Sequence, residues 1–348
     1  MSPEPWDVTG LLRGEVEALM VELGQAAYRG RQLFQWVQAR RATGVSAMTT
    51  LSRDLRAMLA ERIIVNRPEI AREQRAADGT RKFLFRLRDG EEIESVLIPD
   101  EDRLTACIST QVGCPLACRF CVTGLMGMRR NLTSSEIVGE ILTLQDRLVG
   151  QERISNIVLM GMGEPLLNFH EVERALRILC DEHGANFSPR RITLSTAGHV
   201  PGIQKLAASD LGVNLAVSLS ATTDEVRNQL MPINKRWPIA DLLKACRAYP
   251  LPQRRRLTFE YVLLQGVNDS DEDARRLVRL LRGIRCKINL IPFNATRDLP
   301  DHPSPRQRIE AFQQILCDAQ LTATIRESRG QDISAACGML RVETARKG

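Results

Sequence analysis

The feature that most constrains this chain is an alternation that begins near residue 101, where short apolar, β-branched stretches take turns with amphipathic segments of helical period. The apolar stretches lie near 104–109, 154–160, 190–195, 212–219, 256–264, 286–292 and 321–326. The helical segments lie near 133–148, 169–182, 202–209, 238–248, 270–282 and 304–318. Strands separated by helices pair in parallel through crossovers, so the run predicts an α/β fold built on a parallel sheet. About six βα units fall short of the eight that close a full barrel, which predicts a partial, open-sided (β/α)6 barrel.

Two smaller modules precede the barrel. Residues 1–70 predict a helical accessory domain: Leu11, Leu12, Val16, Leu19, Met20 and Leu23 recur at helical spacing, Tyr28–Val37 and Leu51–Ile64 repeat the pattern, and Thr49 is placed to cap the last segment. Between 71 and 100 the period changes to two. Lys82–Leu87 and Ile93–Ile98 flank Arg88-Asp-Gly-Glu91, where Asp-Gly suits a primed turn, so a β-hairpin extension is expected, with Pro99 ending its second strand. The barrel then spans 101–330, and a C-terminal segment, 331–348, carries Cys337.

With 43% hydrophobic and 26% charged residues in 348, the chain can bury a large core and is not a disordered protein. MSPEPWDVTG lacks the layout of a signal peptide, and no apolar run approaches the roughly 18–20 residues that span a bilayer, so a cytoplasmic location without membrane contact is expected. A net charge of +6 fits a phosphate-bearing partner without specifying one. Arg129-Arg130, Arg190-Arg191, Lys235-Arg236 and Arg254–Arg256 fall in predicted loops, as phosphate contacts or simply as solvated charge.

Nine cysteines in so long a chain, four of them between Cys107 and Cys121, do not form a secreted disulfide framework. Cys114-Pro-Leu-Ala-Cys118-Arg-Phe-Cys121 sits in the loop after the first barrel strand. Three thiolates there can each bind one iron of a cubane and leave the fourth iron open. A structural zinc site would need four ligands, and no second pair follows; zinc or packed thiols remain the competing readings. Cys180, Cys246, Cys286 and Cys317 fall on apolar faces and are expected to pack in the core. Gly161, Gly163 and Glu164 follow a strand end, either as a ligand-binding loop or as a plain βα turn with Glu164 as its solvated tip. Ser195, Ser218 and Asn294 also stand at or just after strand ends.

The C-x3-C-x2-C spacing, with an aromatic before its last cysteine, is similar to the signature of the radical S-adenosylmethionine (SAM) superfamily. Cys107-Ile-Ser-Thr-Gln-Val-Gly113, Arg130-Asn-Leu132, Met160-Gly-Met-Gly-Glu-Pro-Leu166, Ile192–Thr196, Met231-Pro-Ile-Asn234, Cys286–Asn294 and Arg329–Gly338 resemble the RlmN/Cfr family, as do Tyr28–Gln32 and Met48–Leu51 in the N-terminal module. The resemblance spans nearly the whole chain. It implies a [4Fe-4S] cluster on Cys114, Cys118 and Cys121, and two SAM molecules per turnover, bound through Gly163, Glu164, Ser195, Ser218, Ser220 and Asn294. Ser218-Leu219-Ser220 departs from the family's frequent Ser-Leu-His, which weakens the assignment of Ser220.

Adenine carbon 2 is electrophilic, so a methyl group cannot be placed there by attack on a sulfonium alone. The resemblance implies Cys337 as an S-methyl carrier, Cys107 as the thiol that resolves a covalent protein–RNA adduct and leaves a disulfide to be reduced, and Glu94 as proton acceptor. It further implies methylation of carbon 2 of an adenosine in 23S rRNA and of one in tRNA, an electron donor such as flavodoxin, and a monomer. Methylation of carbon 8, as by Cfr, is the nearest alternative. A non-catalytic metal-containing RNA-binding protein is the alternative of another class, against which the two additional cysteines speak.

Overall fold

The computed structural model describes residues 5–297 and 299–342. One ten-stranded sheet organises them: β1 (Glu69–Arg75), β2 (Arg81–Arg86), β3 (Glu92–Asp100), β4 (Arg103–Cys107), β5 (Asn156–Leu159), β6 (Ile192–Thr196), β7 (Asn214–Ser218), β8 (Leu257–Leu263), β9 (Cys286–Pro292) and β10 (Ala323–Ile325). Neighbours in the sheet are neighbours in sequence, from β1 at one edge to β10 at the other. β4 to β10 pair in parallel. Seven parallel strands whose outer members do not meet make the open-sided α/β barrel that the alternation predicts.

Three N-terminal helices, α1 (Arg13–Glu22), α2 (Ala27–Gln38) and α3 (Arg53–Ala60), precede the sheet, and helices cover the parallel strands: α4 (Ser134–Asp146), α5 (Phe169–Cys180), α6 (Val200–Ala208), α7 (Asp224–Leu230), α8 (Ile239–Ala248), α9 (Asp271–Leu281) and α10 (Arg306–Asp318). Local chemistry fixes their starts. Thr133 and Glu136 form a capping box on α4, and Ser270 and Asp273 form another on α9. The cap of α3 is Ser52, whose hydroxyl accepts the Leu55 N–H, and not Thr49, since the chain bends through Thr49–Leu51 before the helix begins at Arg53.

The N-terminal module docks on α4 and α5 through the short turn at Val8–Gly10, which closely approaches the α4 backbone. A Cβ on Gly10 would stand 2.6 Å from the Ser135 nitrogen. Arg174 grips Glu15 through two hydrogen bonds of 2.8 and 2.7 Å.

The expected hairpin gains a third strand, β1, so that β1–β2–β3–β4 is an antiparallel meander continuous with the barrel sheet. Its turn is not the primed type: only Gly90 has a positive φ, +86°, while Asp89 turns its carboxylate to accept the Glu91 N–H. Pro99 does not end β3; it stands opposite Leu104, and the strand runs on to Asp100.

Candidate active site

The three clustered cysteines lie on the loop after β4, and that loop is anchored on both sides. Gln111–Gly113 pairs with Met128–Asn131 in a small antiparallel ladder. Gly113 adopts φ +79°, and a Cβ there would lie 1.9 Å from the Gly127 carbonyl oxygen. The Arg119 N–H donates to the Leu230 carbonyl at 2.9 Å, tying the loop to the C-terminal end of α7.

Beside this loop, the C-terminal ends of the central strands frame an open cleft whose atom-free space, including its solvent-filled mouth, is about 900 Å³. Barrels of this kind bind ligands at that end. Cys114, Cys118, Cys121, Gly163, Glu164, Ser195, Ser218, Asn294 and Cys337 all line the cleft. Burial pushes the Cys114 thiol up to about 12 and raises those of Cys118 and Cys121 above their ordinary value. Buried thiols of this sort become thiolates when metal charge displaces their protons, and an all-sulfur donor set suits iron–sulfur chemistry. Among the described residues, no three His, Cys, Asp or Glu side chains are spaced to hold one metal ion. The three thiols face a shared space, as a cubane with separate irons requires.

The loop after β5 is shaped by close backbone contacts. A Cβ on Gly161 would meet the Ile108 carbonyl at 2.6 Å, and Gly163, at φ +103°, has no room for one beside Gln111. Glu164 is buried and not a solvated tip: its Oε2 accepts the Ala197 N–H at 2.7 Å and its Oε1 the Leu166 N–H at 3.1 Å. Burial pushes its carboxyl up to about 7.

A second cavity of about 530 Å³ adjoins the first, sharing Met160, Ile291 and Cys337 with it, and is lined by Cys107, Arg326 and Arg329. Cys337 stands on the wall that both cavities share. The residue is exposed at the surface of the segment, while its thiol, which lines both cavities, is surrounded by protein. Burial raises it, while the Arg326 guanidinium opposes that shift at both Cys337 and Cys107.

Two expected site residues stand elsewhere. Ser220 is fully buried at φ +50°, its hydroxyl accepts the Val262 N–H at 3.3 Å, and it lines neither cavity. Glu94 is also absent from both linings; it is 1% exposed and pairs with Lys82 at 3.0 Å, so the sheet holds it inward.

Other placements depart from the sequence as well. Cys317 is exposed near the end of α10, whereas Cys246 and Cys286 are buried and Cys180 is half-buried. Arg129 and Arg130 lie on a strand, paired with Glu91 and with Asp89 and Glu136.

The sequence reading also missed residues. Glu260 lines the cleft as the one acid within the apolar strand Leu257–Leu263, a signal that could have been read. Arg227 on α7 is fully buried and donates to the carbonyls of Leu219, Ala197 and Ser218 and to Asn234 Oδ1. Nothing in the local sequence distinguishes it from a surface arginine.

A cysteine loop of this spacing at the mouth of an open parallel barrel defines the radical SAM class, and residues 108–278 match the model of the radical SAM superfamily. Residues 6–65 match the model described as the ribosomal RNA large subunit methyltransferase N-terminal domain. The chain is 51% identical to a dual-specificity RNA methyltransferase RlmN of Rhodospirillum rubrum, covering 99% of this chain and 82% of that one. It is 52% identical to the protein of the same description from Syntrophus aciditrophicus, over 94% and 93%. A crystal structure of a radical SAM methyltransferase from Sphaerobacter thermophilus superposes with a TM-score of 0.93 at 47% identity, covering 97% and 99%. The chain therefore belongs to the RlmN family of radical SAM RNA methyltransferases.

Proposed function

We propose that this enzyme methylates carbon 2 of an adenosine in 23S rRNA and of one in tRNA, consuming two SAM molecules per turnover, with Cys337 as methyl carrier and Cys107 as resolving thiol. The observation that carries the reading is the position of Cys337 on the wall between the cleft of the three cysteines and the cavity of Cys107. One thiol can there receive a methyl group on one side and be met by a second thiol on the other. The description of relatives as dual-specificity RNA methyltransferases supports two RNA substrates.

Cys114, Cys118 and Cys121 would hold a [4Fe-4S] cluster, which when bound supplies the electron that splits SAM into methionine and a 5'-deoxyadenosyl radical. The chain's own residues provide the rest. Ser195, Ser218 and Asn294 present hydroxyl and amide groups to the cleft, and the Gly161–Gly163 backbone allows a ligand to approach closely. Cys337 Sγ, its proton lost to solvent, becomes the nucleophile that takes the methyl group of one SAM, which leaves as S-adenosylhomocysteine, and the Arg326 guanidinium favours the thiolate. Once the carried carbon is bonded to the adenine ring, the Cys107 thiolate attacks Cys337 Sγ; the Sγ–carbon bond breaks, its electron pair leaves with the carbon, which takes up a proton as the methylated RNA departs, and the Cys107–Cys337 disulfide left behind must be reduced before another turnover. A flavodoxin-like electron donor, a monomeric enzyme and a reducing, cytoplasmic setting complete the reading. The setting is supported by nine free thiols; no helix among the described residues is long and apolar enough to cross a membrane.

Mass spectrometry of nucleosides from 23S rRNA and tRNA, incubated anaerobically with reconstituted enzyme, SAM and reductant, tests this directly. 2-Methyladenosine in both RNAs is expected; 8-methyladenosine or unmodified RNA would overturn the assignment. Cys337→Ala should abolish the product while leaving iron and sulfide content unchanged.

A further inference from the structure

Glu94 and Lys82 lie on adjacent strands, and both are buried, at 1% and 6% exposure. Removing two charges from water costs several kcal/mol per ion, so an ion pair in this position is poor evidence of a stabilising role in itself. What distinguishes this one is where its remaining valences go. Lys82 Nζ, 3.0 Å from Glu94 Oε1, also donates to the Ser334 carbonyl at 3.3 Å. Glu94 Oε2 accepts the Arg341 N–H at 2.8 Å.

Ser334 and Arg341 bracket Cys337. The chain between them has no helix or strand, and Ser334 and Gly338 adopt φ +53° and +80°. Its carbonyls are met from outside instead: Val122 N–H donates to Gly338 at 2.7 Å, Thr123 Oγ1 to Leu340 at 2.7 Å and Asn294 Nδ2 to Cys337 at 3.0 Å. A segment with so few bonds of its own takes its position from what grips it.

We propose that the Lys82–Glu94 pair is a latch: two positioning residues that clamp both flanks of the Cys337 segment and so fix its thiol on the wall between the two cavities. The functional consequence rests on the methyl-carrier reading of Cys337; the clamp itself does not. Loosening it lets Cys337 leave that wall, which lowers kcat and leaves the KM for SAM unchanged, because neither residue lines the cleft.

The test uses cluster-loaded enzyme under anaerobic conditions, with amide hydrogen exchange at Arg341 and iodoacetamide alkylation of Cys337 read by peptide mass spectrometry, exposed Cys317 serving as the internal reference. In the wild type the Arg341 amide should be protected; exchange at the rate of a free peptide overturns the latch before any variant is made. In Glu94→Leu, which removes the acceptor of the Arg341 N–H, Arg341 exchange and Cys337 alkylation should rise about tenfold, and in Lys82→Met, which removes the donor to the Ser334 carbonyl, Cys337 alkylation should rise as much, each the loss of one charge-assisted hydrogen bond.

The decisive variant is the apolar double replacement Lys82→Met with Glu94→Leu. Apolar packing can substitute for a buried ion pair without loss of global stability. A purely structural pair would therefore be rescued, with Cys337 alkylation back at the wild-type rate, and that result refutes the proposal. A latch is not rescued: the double variant stays folded while Arg341 and Cys337 remain loose. Cys337→Ala tests the carrier reading separately, since it abolishes methylation and leaves Arg341 protection intact.

Discussion

Glu140 offers a prediction whose size can be worked from the structure. It is fully buried on α4, where its Oε2 accepts the Ser109 N–H at 3.0 Å and the Ser95 hydroxyl, while its Oε1 has no hydrogen-bond partner. Burial pushes its carboxyl from an ordinary 4.5 up to about 8, so at neutral pH the folded protein holds a proton that the unfolded chain has released. A carboxyl raised in this way contributes most below pH 4.5, and its contribution is lost as pH climbs through about 8. At about 1.36 kcal/mol per pH unit, the loss across that interval has a ceiling of ~5 kcal/mol.

Glu140→Gln keeps the shape and cannot ionise, so it should remove this slope. Anaerobic urea unfolding followed by tryptophan fluorescence, run in parallel on both proteins from pH 4.5 to 9, is the assay. The variant should gain several kcal/mol relative to wild type between those limits, because every other titrating group, including the buried Cys107 thiol, is common to both. Parallel stability profiles would refute the reasoning.

Gly163→Ala must place a Cβ 2.6 Å from that of Gln111 at φ +103°, a strain of about 1–3 kcal/mol; equilibrium dialysis should show SAM affinity down about tenfold, and unchanged affinity would dissociate this loop from the cofactor. Arg227→Met strips donors from three carbonyls, that of Leu219 buried and those of Ala197 and Ser218 half-buried, and its urea midpoint should fall by the equivalent of about 3–5 kcal/mol; an unaltered midpoint would mean that the barrel ends are held by something else. Cys107→Ala should accumulate protein cross-linked to RNA, visible as a nuclease-sensitive mass shift, and the absence of an adduct would remove Cys107 from the resolving role.

The barrel was legible because its strands are apolar where they are buried, with turns and caps to mark their ends. β1 was not, since Glu69-Ile-Ala-Arg-Glu-Gln-Arg75 is an edge strand with mostly polar, exposed residues and carries no core signal. α7 was missed for a related reason: only seven residues long, it gives too few turns for a period to show. The site residues divide along the same line. Residues at strand ends, such as Ser218 and Asn294, were legible because the barrel fixes where strand ends gather. Ser220, two residues beyond Ser218, turns away at a positive φ that sequence does not announce. The inward face of Glu94 and the burial of Arg227 depend on packing between distant segments, which no local pattern encodes.

An incomplete barrel has a wall that must be finished by something else. Its last strand, β10, is only three residues long. Beyond it, the Gly330–Leu340 stretch is bonded both to the turn at Asp78 and to the helical turn at Val122, bridging the gap between the first and last parts of the sheet. A ribosomal RNA is far too large to be enclosed, so a reacting base must be offered at an edge. The stretch of chain that spans this gap is the one that bears the Cys337 sulfur, so finishing the wall and placing that thiol fall to a single segment.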